Sequence, residues 1–226
     1  MSPPPTPPDL TKYRQLHLAM RIADDRLVAG IESLAEGDHD RAAALRDWYV
    51  GYAGELRAHH RIEDHIIFPA VQARVPAYAQ YSATLADDHE HLDDVIERLT
   101  ASLTALVSVV DGWREQRTTA VALATELRDL LVDHLDVEDN DVLPMIERHF
   151  SAAEYEQLDT AAMKAMSIRQ MRFTLPWWMA TVPPEIAAHE LANAPLMLKV
   201  VWYATRRRYA RLEAKALGTA PALRSA

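Results

Sequence analysis

One short pattern occurs twice in this sequence, as HHRIEDHIIFPAV starting at His59 and HLDVEDNDVLPMI starting at His134. Each copy places Glu-Asp four residues after its first histidine and a proline six residues after the glutamate. Residues i and i+4 share one face of a helix, with Cβ atoms ~5–6 Å apart. His59 and Glu63 can therefore aim an imidazole and a carboxylate at one point, and so can His134 and Glu138. Two such helices facing each other in an all-helical chain predict a two-metal site.

The rest of the chain supplies the helices. After the proline-rich opening MSPPPTPPDL, read as a disordered tail over residues 1–10, four amphipathic segments follow. They run from about Thr11 to the Gly37-Asp38 turn, from about Arg41 to Pro76, from near Ser82 to Asp111-Gly112, and from about Thr118 to Phe150. Apolar residues recur at helical spacing in each, as in Leu92, Ile96, Leu99 and Leu103. Long segments with short connections predict an up-down-up-down four-helix bundle over residues 11–150. Residues 151–226 predict further helices packed on it, beginning with a Ser151/Glu154 capping box and ending with a helix from Pro195 to Gly218. The apolar residues Leu196, Met197, Val200, Val201, Tyr203 and Ala204 are expected to pack on the bundle. The following Arg206, Arg207, Arg208 and Arg211 are expected to dock on its acidic surface, a reading favoured over a membrane-surface helix.

Charge and composition narrow the function. The chain carries a formal net charge of −9. Residues 151–226 contain ten Lys and Arg against six Asp and Glu, net +4, which leaves −13 for residues 1–150. An acidic body argues against nucleic acid as partner. The absence of cysteine excludes disulfides and thiolate metal sites, and it fits a cytoplasmic setting. No signal peptide or membrane-spanning stretch is apparent.

Six polar residues occupy helix stripes where apolar ones belong: His17, His59, Glu63, His89, His134 and Glu138. Burying them is costly unless they pair or bind a metal. In an antiparallel bundle all six meet near one end, because His17 and His89 lie early in their helices and the two His/Glu pairs lie late. Four imidazoles and two carboxylates suit borderline divalent metals, iron or manganese first. Two glutamates shared between two ions, two histidines on each and a solvent-derived oxo or hydroxo bridge leave a coordination position open for a small molecule. His91 misses the stripe that His89 joins. His60 and His65 are expected to lie off the Glu63 face, in solvent. Tyr13, one turn before His17, reads as a packing residue that could also reach a metal-bound oxygen. Glu36-x-x-His39 has ferritin-type spacing but occurs once, and no H-E-x-x-H is present.

These motifs resemble the hemerythrin-like (HHE cation-binding) family over about residues 11–150. The resemblance implies a non-haem di-iron centre with His17, His59, His89 and His134 as terminal ligands and Glu63 and Glu138 as bridges. Oxygen-carrying members have two histidines at i, i+4 on the third helix, whereas Asp93 stands four residues after His89 here. The chain is thus similar to bacterial four-histidine, two-glutamate variants linked to peroxide, nitric oxide and oxygen. The expected function is handling of small oxidants, foremost a catalase-like decomposition of hydrogen peroxide. Non-catalytic O2 or NO binding or sensing, and iron buffering, are the alternatives.

Overall fold

The computed structural model describes residues 6–218, and no β-strand occurs among them. The bundle consists of α1 (Thr11–Glu32), α2 (His39–Ile62), α4 (Ala79–Leu106) and α5 (Trp113–Val137). After α2 the chain passes through a π-helical turn (Glu63–Ile67) into the short α3 (Phe68–Arg74). After α5 it passes through a second π turn (Glu138–Val142) into α6 (Leu143–His149). The extension adds α7 (Ala152–Ala165), α8 (Ile168–Thr181), α9 (Pro184–Asn193) and α10 (Leu196–Leu217).

Local chemistry sets most boundaries. The Asp38 side chain accepts the Arg41 N–H at 3.0 Å and caps α2. Gly37 and Gly112 take positive φ at the two turns between bundle helices. The capping box opens α7, with the Ser151 hydroxyl on the Glu154 N–H and the Glu154 carboxylate on the Ser151 N–H. Two boundaries differ from expectation: α4 begins at Ala79 and α5 at Trp113. Ser82 therefore lies inside a helix, where its hydroxyl bonds back to the Ala79 carbonyl. The buried Trp113 ring packs edge-on against His39 at 5.0 Å, an apolar anchor that draws the helix start forward.

Cross-helix bonds fix an antiparallel order. Tyr52 on α2 reaches the Met20 carbonyl on α1, Arg57 on α2 reaches Asp93 on α4, Arg98 on α4 reaches Glu126 on α5, and Arg21 on α1 reaches the Val132 carbonyl on α5. The apolar interior forms two clusters. The larger contains Met20, Leu27, Trp48, Tyr52, Leu56, Leu92, Leu99, Leu127 and Leu131. The smaller, at the π-turn end, contains Ile67, Phe68, Val71, Leu85, Val142, Ile146 and Phe150. The sequence-predicted polar residues lie between them.

The seam between α1 and α2 is the loosest of the bundle, and the extension fills it with α8 and the second half of α10. Gly51 and Gly54 on α2 form the seat for α8: a Cβ on Gly51 would stand 2.1 Å from the Phe173 ring, and one on Gly54 2.3 Å from Gln170 Oε1. Gln170 donates to the Gly51 carbonyl, and Thr174 bonds the buried Glu55 carboxylate. Farther along, Trp48 Nε1–H donates to the Tyr209 hydroxyl at 3.2 Å and Arg26 pairs with Glu213 at 2.7 Å.

Two expectations are corrected. The segment expected to be a disordered tail is ordered where it is described: Leu10 is buried in the smaller cluster, and the Thr6 carbonyl accepts the Ala152 N–H; residues 1–5 lie outside the described residues. The apolar face of the first half of α10 is largely uncovered, since Leu196, Met197, Val200 and Tyr203 are exposed and Val201 is only half-buried. The second half of the helix is anchored by the buried Tyr209 and Ala216. No described helix is long and apolar enough to cross a membrane.

Two outcomes follow. Gly51→Val forces a branched side chain into the Phe173 ring, an overpacking that costs about 1–3 kcal/mol, and thermal melting is expected a few degrees lower. Asp24 is buried in the larger cluster with neither carboxylate oxygen hydrogen-bonded. Burial pushes its pKa up to about 8, opposed by Tyr52, reinforced by Asp25 and opposed by Arg128. The folded state thus holds a proton that an unfolded chain releases near the ordinary value of ~3.9, so this group makes stability fall as pH rises from about 4 to 8. Asp24→Asn should remove that part of the decline and add on the order of a few kcal/mol at pH 8, measured by denaturant titrations across the range.

Candidate metal centre

Both π turns have one local cause. Pro69 and Pro144 carry no N–H, so neither can make the regular bond to the carbonyl four residues back. The preceding residue instead reaches back five: the Phe68 N–H bonds the Glu63 carbonyl, and the Leu143 N–H bonds the Glu138 carbonyl. Each glutamate therefore stands at the first residue of a widened turn, a feature frequent at functional sites. The proline spacing of the repeat builds this turn, where apolar periodicity alone predicts ordinary helix.

The six polar residues of the stripes converge. His17, His59, Glu63 and Glu138 present ligand atoms within 4.8 Å of one another, and so do Glu63, His89, His134 and Glu138. His59 Nε2 is 3.0 Å from Glu63 Oε1 and His134 Nε2 is 3.4 Å from Glu138 Oε1, the two i,i+4 pairs. The other contacts cross between helices. His17 Nε2 is 3.3 Å from Glu138 Oε2, and His89 Nε2 is 3.7 Å from Glu63 Oε2. The arrangement is pseudo-twofold, since each single histidine meets the glutamate of the π turn beside it.

A ring of outer carboxylates orients the imidazoles. His17 Nδ1 lies 2.8 Å from Asp139, whose second oxygen accepts from Arg21 at 3.2 Å. His89 Nδ1 lies 2.9 Å from Asp64, and His134 Nδ1 lies 3.5 Å from Asp88. A carboxylate on Nδ1–H leaves the Nε2 lone pair facing inward, the arrangement that metal-binding imidazoles need. Asp64 and Asp139 are the second residues of the two Glu-Asp doublets. In the sequence, the signal for this role is the doubling of the Glu-Asp doublet itself.

All six central residues are buried. Burial and the nearby Glu138 charge push Glu63 well above the usual carboxylate range, although the Tyr13 hydrogen bond opposes this. Glu138 moves the other way: burial would raise it, but His134, with His17 and His89, holds it low. Burial holds the His59 imidazole well below its ordinary pKa, as do the neighbouring imidazoles, so it is neutral with a lone pair to offer. His17 Nε2, His59 Nε2, Glu63 Oε2 and both Glu138 carboxylate oxygens are buried without hydrogen-bond partners. Orphaned acceptors converging in a buried core are what divalent cations would satisfy, so the donor set fits a metal.

Three neighbours are resolved. Tyr13 does more than pack, because its hydroxyl donates to Glu63 Oε1 at 2.5 Å and its ring lies edge-on to His17. His91 stays on the surface, as its register predicted, and so does His65. His60, expected in solvent, is instead only 4% exposed, stacks on the His89 ring at 4.2 Å, and leaves both ring nitrogens unpartnered. Its nitrogen lies within 4.8 Å of those of His89 and His134. A signal for it existed. Tyr49, Ala53, Leu56, His60, Glu63 and Ile67 form a second stripe at helical spacing, and every member is buried because α2 is covered on two sides. Asp93, at the position of the missing third-helix histidine, points outward and meets Arg57.

Comparison with known proteins agrees with this site. Residues 11–146 match the family model described as the hemerythrin HHE cation binding domain. The chain is also similar to the zinc finger protein BRUTUS of Arabidopsis thaliana, 24% identical over 158 residues that make up 70% of this chain and 12% of that much longer protein. No solved structure gives a significant match. Since the matched region covers more than half of the chain and carries all six convergent residues, the protein belongs to the hemerythrin HHE cation-binding family.

Proposed function

We propose that this protein binds two iron ions through His17, His59, Glu63, His89, His134 and Glu138, and that it decomposes hydrogen peroxide there. The observation that carries the reading is the convergence of four imidazoles and two carboxylates in a core closed to bulk solvent, with unpartnered acceptor atoms facing one another. Imidazole and carboxylate without thiolate suit iron. Burial of every central residue restricts visitors to molecules a few atoms in size. None of the six residues lines either of the two surface concavities along α7 and between the start of α1 and α9. We take residues 11–150 as the metal-binding unit and 151–226 as its extension.

Bound iron would supply two-electron redox chemistry and Lewis acidity, enough to reduce one peroxide to water and oxidise a second to O2. The protein's own groups do the rest. Asp139, Asp64 and Asp88 fix the imidazole tautomers of His17, His89 and His134. Burial raises the Tyr13 pKa far above its ordinary value, as do the Glu63 and Glu138 charges, so the hydroxyl keeps its proton and serves Glu63 as a hydrogen-bond donor, not as a base. His60 lays a flat imidazole face over His89 and excludes water from that side. The apolar clusters above and below keep the carboxylates from swinging out to solvent.

Metal binding tests the assignment first. Asp139→Ala releases His17 from its orienting partner and should weaken iron retention about 10–100-fold in chelator competition. His89→Ala should lose metal and His91→Ala should retain it; elemental analysis finding fewer than two irons in the anaerobically loaded wild type would end the di-iron reading.

For the reaction, the iron-loaded protein should evolve O2 from hydrogen peroxide over many turnovers, and the metal-free protein should evolve none. An oxygen electrode read alongside the optical spectrum decides the matter. Reversible spectral change with O2 or NO and no turnover of peroxide would make the protein a binder or sensor of those gases. Iron retained without either response would leave buffering.

A further inference from the structure

The α9–α10 corner presents an ordered sequence of side chains outward along one helix. First come Leu196, Met197 and Val200, all exposed, with Leu196 the most so at 77%. Then come Trp202 and the exposed Tyr203, with the Arg206 guanidinium 4.6 Å from one ring centroid and 5.1 Å from the other. Last come Arg207, Arg208 and Arg211, exposed and without a carboxylate within 4.0 Å among the described residues. Within α10 six cations stand against a single acid, Glu213, which is already paired with Arg26.

We infer that this corner is a docking site for an anionic phospholipid bilayer, entered apolar end first. The polarity along α10 follows the layers of a membrane interface. At 1.5 Å per residue Tyr203 lies ~10 Å and Arg207 ~16 Å from Leu196. Interfacial elements bury their apolar part roughly 5–10 Å into the boundary between headgroups and acyl chains. Trp and Tyr concentrate at that boundary, and arginines beyond them meet phosphate oxygens. A groove on a protein partner would call for an apolar face of uniform character, whereas this face changes from apolar to aromatic to cationic within three turns. The acidic bundle is not their counter-surface within the molecule, because Arg207, Arg208 and Arg211 are exposed and pair with no carboxylate among the described residues. Its net charge of −13 over residues 1–150 is instead repelled by an anionic surface, which leaves the α10 corner as the end that faces lipid. The docking is peripheral, since no described helix is long and apolar enough to span.

The full-length protein is mixed with phosphatidylcholine vesicles with or without phosphatidylglycerol and floated on a density gradient. It should float with the phosphatidylglycerol vesicles, less so as salt is raised. Arg207→Gln/Arg208→Gln/Arg211→Gln should lower partitioning on the order of 100-fold, at ~1 kcal/mol for each arginine near the surface. Met197→Asp/Val200→Asp should abolish flotation while melting like the wild type, because both side chains are exposed. Failure of the wild type to float at low salt, or flotation unchanged in both variants, overturns the proposal. So does a wild-type dimer, by light scattering, that Met197→Asp/Val200→Asp converts to monomer, since the occupant of the corner would then be a second copy of this chain.

Discussion

Six ionisable side chains share a buried core in which each alone would be strongly unfavourable. The cost of removing a charge from water amounts to several kcal/mol for each ion even after relaxation, which is comparable to the whole stability of a domain. Around this polar layer the protein is built to compensate. Imidazoles stand between carboxylates, outer aspartates take the remaining ring N–H groups, and Tyr13 donates to Glu63. The two glutamates are displaced in opposite directions, Glu63 upward by burial and the Glu138 charge and Glu138 downward by the imidazoles around it. A cation held in this layer would couple its binding to folding.

The two apolar clusters gain importance from this layer. Leucines and aromatics of the larger cluster end just below it, at Leu56, Leu92 and Leu131, and the smaller cluster begins just above it, at Ile67, Leu85 and Val142. The proline-directed π turns mark the crossing on α2 and α5. They let one chain segment supply a histidine to the centre, a glutamate to its middle and an aspartate to the neighbouring helix within six residues. Because the device occurs twice in antiparallel settings, an approximate twofold relation arises without any repeat of the intervening sequence.

The extension solves a different problem. An up-down bundle whose α1–α2 seam is loose would expose Trp48 and Tyr52, and α8 with the second half of α10 closes that seam through Phe173, Trp177 and Tyr209. Gly51 and Gly54 make this possible by removing side chains where α8 crosses. The same extension leaves one end of α10 uncovered, so it both completes the core and carries the most apolar exposed surface of the described residues.

Periodicity and the doubled His/Glu pattern alone determined the bundle, the four main helices and the six convergent residues, because i,i+4 spacing and apolar stripes are local consequences of helix geometry. The preference for His89 over His91 was legible for the same reason. What only the tertiary structure decided depends on which helices stand next to which. His60 was expected in solvent, yet α2 is covered on two faces and so has a second buried stripe. Asp64, Asp88 and Asp139 acquire their partners from other helices, 25, 46 and 122 residues away in the chain. Leu196, Met197, Val200 and Tyr203 satisfied the pattern of a packing face, but a pattern states only that a face is apolar. Whether another surface lies opposite it is a property of the assembled fold, and in this molecule none does.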